Sequence, residues 1–161
     1  MMPVLYLDVD GVLLSADNLG LKPARGVINF LEWAKKHFEV RWLTSWTLSG
    51  KFENKKALAF WLKCPVSFLD GMENPKSWYD TKTEGIDFED ARPWVWIEDG
   101  ILREESELLS SLGMLDRYIH NNCFEDEDAL IKTKEILKKR FSIVEEESPP
   151  PVSYKSRIKF I

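Results

Sequence analysis

The sequence predicts an α/β fold in which a mostly parallel sheet is covered on both faces. Three observations carry this expectation. Short apolar runs, Val4-Leu5-Tyr6-Leu7 and Pro93-Trp94-Val95-Trp96-Ile97 above all, read as strands buried on both faces. The stretches between such runs place apolar residues at helical spacing, so strands and helices alternate. Two of the runs also end in acids followed by glycine, Asp8-Val9-Asp10-Gly11 and Glu98-Asp99-Gly100. In open α/β sheets, ligands bind beyond the carboxyl ends of the strands.

Taken in order, the first strand runs into Asp8, and Ser15 to Lys22 follows as a polar loop with Asp17, Asn18 and Gly20. Pro23 suits the first turn of a helix. Val27, Phe30, Leu31, Ala34 and Phe38 then form one apolar helical face. Glu39 to Thr44 reads as the second strand, so strand, helix and strand make a parallel βαβ unit. A helix is predicted over Leu48 to Leu62, with Phe52, Leu58, Ala59, Trp61 and Leu62 as candidates for burial. Val66 to Leu69 reads as a short third strand closed by Asp70-Gly71. Gly71 to Thr83 is polar and irregular, with a turn at Asn74-Pro75. A short helical stretch, Thr83 to Phe88, leads to the strand ending at Ile97. Glu104 to Leu112 is the next helix, stopped by Gly113. Arg117 to His120 reads as the last strand. Glu125 to Arg140 is a helix whose acidic start and basic end suit its dipole, with Leu130, Leu137 and Phe141 toward the sheet.

The 161 residues suit one full-sized core, and 44% hydrophobic content excludes a disordered chain. A body over residues 1–144 is therefore expected. Beyond it, 145–161 holds an acidic, proline-rich break and a basic, apolar tail, expected to pack back on the body or add an edge strand, with a docking peptide for a partner as the alternative. The formal charge of −5 argues against a nucleic-acid backbone as the main partner. Cys64 and Cys123 lack metal-ligand spacing and read as reduced thiols, which predicts a cytoplasmic location. Asp8 and Asp10 interrupt the apolar N-terminal stretch, which has no basic lead. Neither a signal peptide nor a membrane span is expected there, and no membrane partner.

Asp8 and Asp10 are two residues apart and so point to one face of a strand. Like charges at the end of a buried strand are costly unless a cation or a reaction uses them. Gly11 lets the chain turn away and a ligand approach the backbone. The second pair, Glu98-Asp99, ends another buried strand, which suggests that both pairs converge on one cation. Thr44, with Ser45 beside it, ends the second strand and would place a hydroxyl next to Asp8 if the two strands are neighbours. His120 and His37 read as structural.

Leu7-Asp8-Val9-Asp10-Gly11 resembles the first motif of the haloacid dehalogenase-like (HAD) superfamily, mostly phosphatases, and the later strand ends follow in that family's order. The resemblance implies a Rossmann-like three-layer sandwich and a Mg²⁺-dependent phosphomonoesterase. It implies Asp8 as nucleophile, Asp10 as general acid/base, and Thr44, with Ser45 as the fallback, as the hydroxyl that binds the phosphoryl group. A lysine neutralises the phosphoryl oxygens in that family; Lys82 is favoured over Lys76. The metal ligands would be Asp8, Asp10 and one of Glu98 and Asp99. Glu98 departs from the family's usual aspartate, and Mg²⁺ asks for near-ideal octahedral geometry. The stretches Leu14 to Lys22 and Gly71 to Lys82 leave no room for the family's cap domain. An open site resembles members that act on phosphoproteins or nucleic-acid ends, and Thr-Ser-Trp and Trp-Ile-Glu-Asp resemble small HAD domains linked to RNA repair. A phosphorylated small molecule or macromolecule is the expected partner, and Trp42, Trp46, Trp78, Trp94 and Trp96 are candidates for a stacking wall. Two rival readings are a catalytically inactive module of the same fold and a phosphate-accepting receiver domain using Asp70.

Overall fold

A computed structural model describes residues 1–47, 54–72 and 76–146. Four strands form one parallel sheet: β1 (Val4–Leu7), β4 (Glu39–Trp42), β5 (Trp94–Glu98) and β6 (Tyr118–His120). Their order is β4-β1-β5-β6, so β1 and β5 are central. Both central strands are buried along their whole length, as their unbroken apolar character requires.

Alternate residues feed two cores. Leu5, Leu7, Val95, Ile97 and Ile119 pack with α1 (Val27–His37) and α4 (Ala129–Arg140), through Phe30, Leu31 and Leu137. Val4, Tyr6, Trp94 and Trp96 point the other way, onto Ile86 and onto Leu109 of α3 (Arg103–Ser111). The sheet is thus covered on both faces, as expected. All five residues of the predicted α1 face are buried, Phe38 just past the helix end. Gly113, at φ +66°, turns the chain after α3.

Five local expectations are corrected. Residues 14–23 are not a loop but a hairpin of β2 (Leu14–Asp17) and β3 (Gly20–Pro23). The Asp17 side chain accepts the Leu19 N–H at 2.8 Å, and Gly20 takes φ +120°, which closes the turn. Pro23 therefore ends a strand opposite Leu14 and starts no helix; α1 begins after Gly26, at φ +76°. Val66–Leu69 is a single 3-10 turn rather than a third strand. Pro65 starts the turn by accepting the Phe68 N–H at 3.0 Å, and only Leu69 of the four is buried. Lys82–Gly85 is likewise one 3-10 turn in place of a longer helix, and α4 starts at Ala129 because the Asp126 side chain takes the Asp128 N–H at 3.0 Å.

Of the predicted 48–62 helix, α2 (Lys55–Leu62) is present, with Leu58, Ala59 and Leu62 buried. Phe52, the Asn74-Pro75 turn and the tail over 147–161 lie outside the described residues. Glu145 ion-pairs with Lys134 at 2.7 Å, so the chain lies along α4 at this point. Among the described residues, no helix is long and apolar enough to cross a membrane.

Candidate functional site

Strand register builds the site. Leu7 pairs with Ile97, so the next residues along, Asp8 and Glu98, lie side by side at the carboxyl ends of β1 and β5. Both continue the face of Tyr6 and Trp96, because side chains alternate along a strand. The Asp8 N–H donates to the Ile97 carbonyl at 3.2 Å and fixes that relation.

After Asp8 the chain folds back on itself. The Leu13 and Leu14 N–H groups donate to the Val9 carbonyl, and the Gly11 N–H donates to the Leu14 carbonyl at 2.9 Å. Gly11 sits at φ +76°, a conformation that L side chains rarely adopt. A Cβ at Gly11 would also lie 2.6 Å from the Asp99 Cβ. Glycine there lets the two strand-end loops close on each other, which brings Asp10 and Asp99 to one cleft.

That cleft holds about 370 Å³ and is lined by Asp8, Asp10, Ser45, Lys82, Glu98 and Asp99, with Trp78, Asp80, Leu102 and Glu105 around them. Among the described residues its one cation is the Lys82 ammonium, which contacts Asp8 Oδ1 at 3.1 Å and Glu98 Oε2 more closely still. The three side chains are nearly enclosed: 19% exposed for Lys82, 6% for Asp8 and 3% for Glu98. Lys76 is elsewhere, paired at the surface with Asp87 at 3.0 Å.

Among the described residues, six carboxyl groups thus line the cleft around one ammonium, and the electrostatics follow. Burial pulls the Lys82 pKa down, but Asp8 and Glu98 outweigh this and hold it raised. Burial, reinforced by Asp8 and Asp99, pushes the Glu98 carboxyl far above the usual carboxylate range. Burial also raises Asp10; the Trp46 indole N–H, donating to Asp10 Oδ2 at 3.1 Å, works against this, and Asp8 works with it.

Asp8, Glu98 and Asp99 each offer a carboxylate oxygen, and these atoms lie within 4.8 Å of one another. Oxygen ligands about 2.0–2.1 Å from one Mg²⁺ lie no more than about 4.2 Å apart, so a small contraction of the trio would seat the ion. All-oxygen donors and the excess of negative charge fit a hard divalent cation.

The two hydroxyl candidates separate. Ser45 lines the cleft, whereas Thr44 is fully buried behind it and accepts the Trp46 N–H at 3.4 Å. The tryptophans also separate: Trp42, Trp94 and Trp96 are buried in the cores, while Trp78 lines the cleft and Trp46 bonds Asp10. Asp70 follows the Val66–Leu69 turn and pairs with Lys55 at 3.5 Å, so it ends no strand. His120 is exposed, with Nδ1 3.1 Å from the Tyr118 hydroxyl, and does not line the cleft.

Sequence reasoning missed the groups that hold this site in place. Asn121 is buried just past β6. Its backbone N–H donates to the Glu98 carbonyl at 2.9 Å, and its side-chain amide donates to the Gly11 carbonyl at 3.3 Å. Thr133 of α4 donates to Asn121 Oδ1 at 2.7 Å. These bonds lock both acid-bearing loops together. A buried asparagine directly after a predicted strand was the available signal, but its partner is 110 residues away.

Comparison of the chain with protein-family models, with curated proteins and with solved structures finds no match.

Proposed function

We propose that this chain is a HAD-type, capless phosphomonoesterase that uses Mg²⁺. One observation carries the reading: Asp8, Asp10, Lys82, Glu98 and Asp99, from three separate segments, meet in one cleft at the carboxyl end of a parallel sheet. Paired acids, a buried lysine and a hydroxyl at that place suit phosphoryl transfer, where positioning and electrostatics supply most of the catalysis.

In this reading the Asp8 carboxylate attacks phosphorus, forming an aspartyl-phosphate as the bond to the leaving oxygen breaks. Asp10 gives its proton to that oxygen, and its raised pKa favours the protonated form the step needs. Asp10 then takes a proton from the water that attacks the intermediate, which frees phosphate and restores Asp8. Lys82 and Ser45 hold the phosphoryl oxygens, with Thr44 supporting the turn behind them. Asp8, Glu98 and Asp99 would hold Mg²⁺, with the Asp10 carbonyl that the HAD resemblance adds, and Glu98 also contacts Lys82. The bound ion would lower the repulsion between Asp8 and an anionic substrate. The substrate is a phosphorylated small molecule or macromolecule.

The test is phosphate release from an aryl phosphate, with Mg²⁺ and with EDTA, beside Asp8→Asn. Metal-dependent turnover that disappears in Asp8→Asn is expected; undiminished turnover in that variant would sink the mechanism. A second reading, a non-catalytic module, draws on Lys82, whose ammonium already bridges Asp8 and Glu98. It predicts no Mg²⁺ binding by calorimetry and no turnover.

A further inference from the structure

We propose that Glu105 is a positioning residue that holds Lys82 against Asp8. The inference builds on the phosphatase reading, in which Lys82 binds the phosphoryl group. Glu105 sits in the first turn of α3 and is only 3% exposed. Among the described residues, neither of its carboxylate oxygens meets a cation. Oε1 accepts the Leu102 N–H at 2.9 Å, and Oε2 accepts the Thr83 N–H at 3.3 Å. The first bond caps α3. The second leaves the helix and grips the residue that follows Lys82.

That grip matters because the lysine's own segment has little structure. Lys82–Gly85 is a single 3-10 turn joined to no strand, closed by the Glu84 N–H on the Thr81 carbonyl and the Ile86 N–H on the Thr83 carbonyl, both at 3.2 Å. Gly85 lies closely under Trp78, where a Cβ would be 3.2 Å from the indole Cδ1. The turn is therefore closely packed on that side, against Leu43 and Trp78, and the Glu105 carboxylate ties it to α3. Glu105 and Lys82 line the same cleft. The lysine chain, anchored at its backbone, then reaches Asp8 Oδ1 at 3.1 Å. Since misplacement of a group by about 1 Å can cost about a hundredfold in rate, an anchor at this point acts directly on phosphoryl binding.

A plain helix-capping role makes a different prediction, and Glu105→Gln separates the two. Glutamine serves as well as glutamate in a capping box, so α3 stays capped. With its one carbonyl oxygen facing Leu102, its amide N–H₂ opposes the Thr83 N–H and that bond is lost. Glu105→Ala, which removes both bonds, serves as the second variant.

The first readout is the Lys82 ammonium signal in a ¹H–¹⁵N correlation spectrum, identified by its absence in Lys82→Met. In the native protein, slow exchange with water is expected for this enclosed group. In Glu105→Gln the signal should broaden into water exchange while the α3 amides keep their positions. The second readout is aryl-phosphate hydrolysis. Glu105→Gln should lose about tenfold in kcat/KM, and Glu105→Gln added to Lys82→Met should lose nothing further. An unchanged Lys82 signal, or losses that add in the double variant, would overturn the proposal. A native protein that hydrolyses nothing would refute the phosphatase reading, and the ammonium signal would still decide the role of Glu105.

Discussion

Replacing Lys82 with methionine removes the ammonium that, among the described residues, is the one cation lining an acidic cleft, while keeping most of the apolar stem of the side chain. Asp8 and Glu98 are then left nearly enclosed, at 6% and 3% side-chain exposure, with no ammonium between them. Breaking a buried ion pair by deleting one partner costs about 3–5 kcal/mol. Part of that is recovered here, because Glu98 can take up a proton. A net loss of about 2–4 kcal/mol at pH 7 in EDTA follows, allowing for that relief. With a urea dependence of about 2 kcal/mol per molar, the unfolding midpoint should fall by about 1–2 M. The sign of the pH dependence is set by Glu98, whose folded pKa lies above its ordinary 4.5. A group with a raised folded pKa stabilises the fold below the unfolded value and loses that contribution as pH rises toward the folded one. Removing the ammonium, which lowers the Glu98 pKa, raises that pKa further, so the deficit of Lys82→Met should be smaller at low pH and widen as pH rises through the raised folded value. Mg²⁺ at a hundred times its dissociation constant adds about 2.7 kcal/mol to a protein that binds it only when folded. The gain should be larger in Lys82→Met, where metal and ammonium no longer compete for Asp8. Urea titrations of native and variant protein, with EDTA and with Mg²⁺, test all of this. An unchanged midpoint in EDTA would refute the electrostatic account of the cleft.

Two further substitutions probe how the cleft is held. Gly11→Ala should destabilise the fold by about 1–2 kcal/mol for the left-handed backbone alone, and Mg²⁺ affinity by calorimetry should drop as Asp99 is pushed aside. Retained stability and affinity would show that the two loops need no such close approach. Trp46→Phe removes a bond that lowers the Asp10 pKa, so that pKa rises. In the proposed mechanism Asp10 acts as the acid in its protonated form, so the alkaline limb of the pH–rate profile should move to higher pH; an unmoved limb would take Trp46 out of the proposed proton transfer.

Much of the candidate site was legible because its signals are local. Asp8 and Asp10 stand two residues apart at the end of one apolar run, and Glu98 and Asp99 end another. A strand buried on both faces leaves little ambiguity of type or direction, so those four residues could be named without coordinates. Lys82 could not be separated from Lys76 by the same means, because 22 of the residues are Lys or Arg. Packing separates them: Lys82 is enclosed between two acids, whereas Lys76 reaches Asp87 at the surface. The β2–β3 hairpin was hidden because its strands are short and polar, and its pairing depends on the Asp17 turn. Val66–Leu69 had the composition of a strand but, after Pro65, satisfies its backbone within one turn.

What the sequence determined by itself was the class of fold, the two central strands and the acids at their ends, all properties of alternation and burial over a few residues. Only the tertiary structure decided that Leu7 registers with Ile97, which sets Asp8 beside Glu98. It alone placed Lys82 between them and brought Trp46, Asn121 and Glu105 to hold the parts in place, across 36, 110 and 22 residues of chain. The reason is physical. Spacing along a chain records which face a side chain points to, but a hydrogen bond between distant segments exists only after packing has fixed both ends.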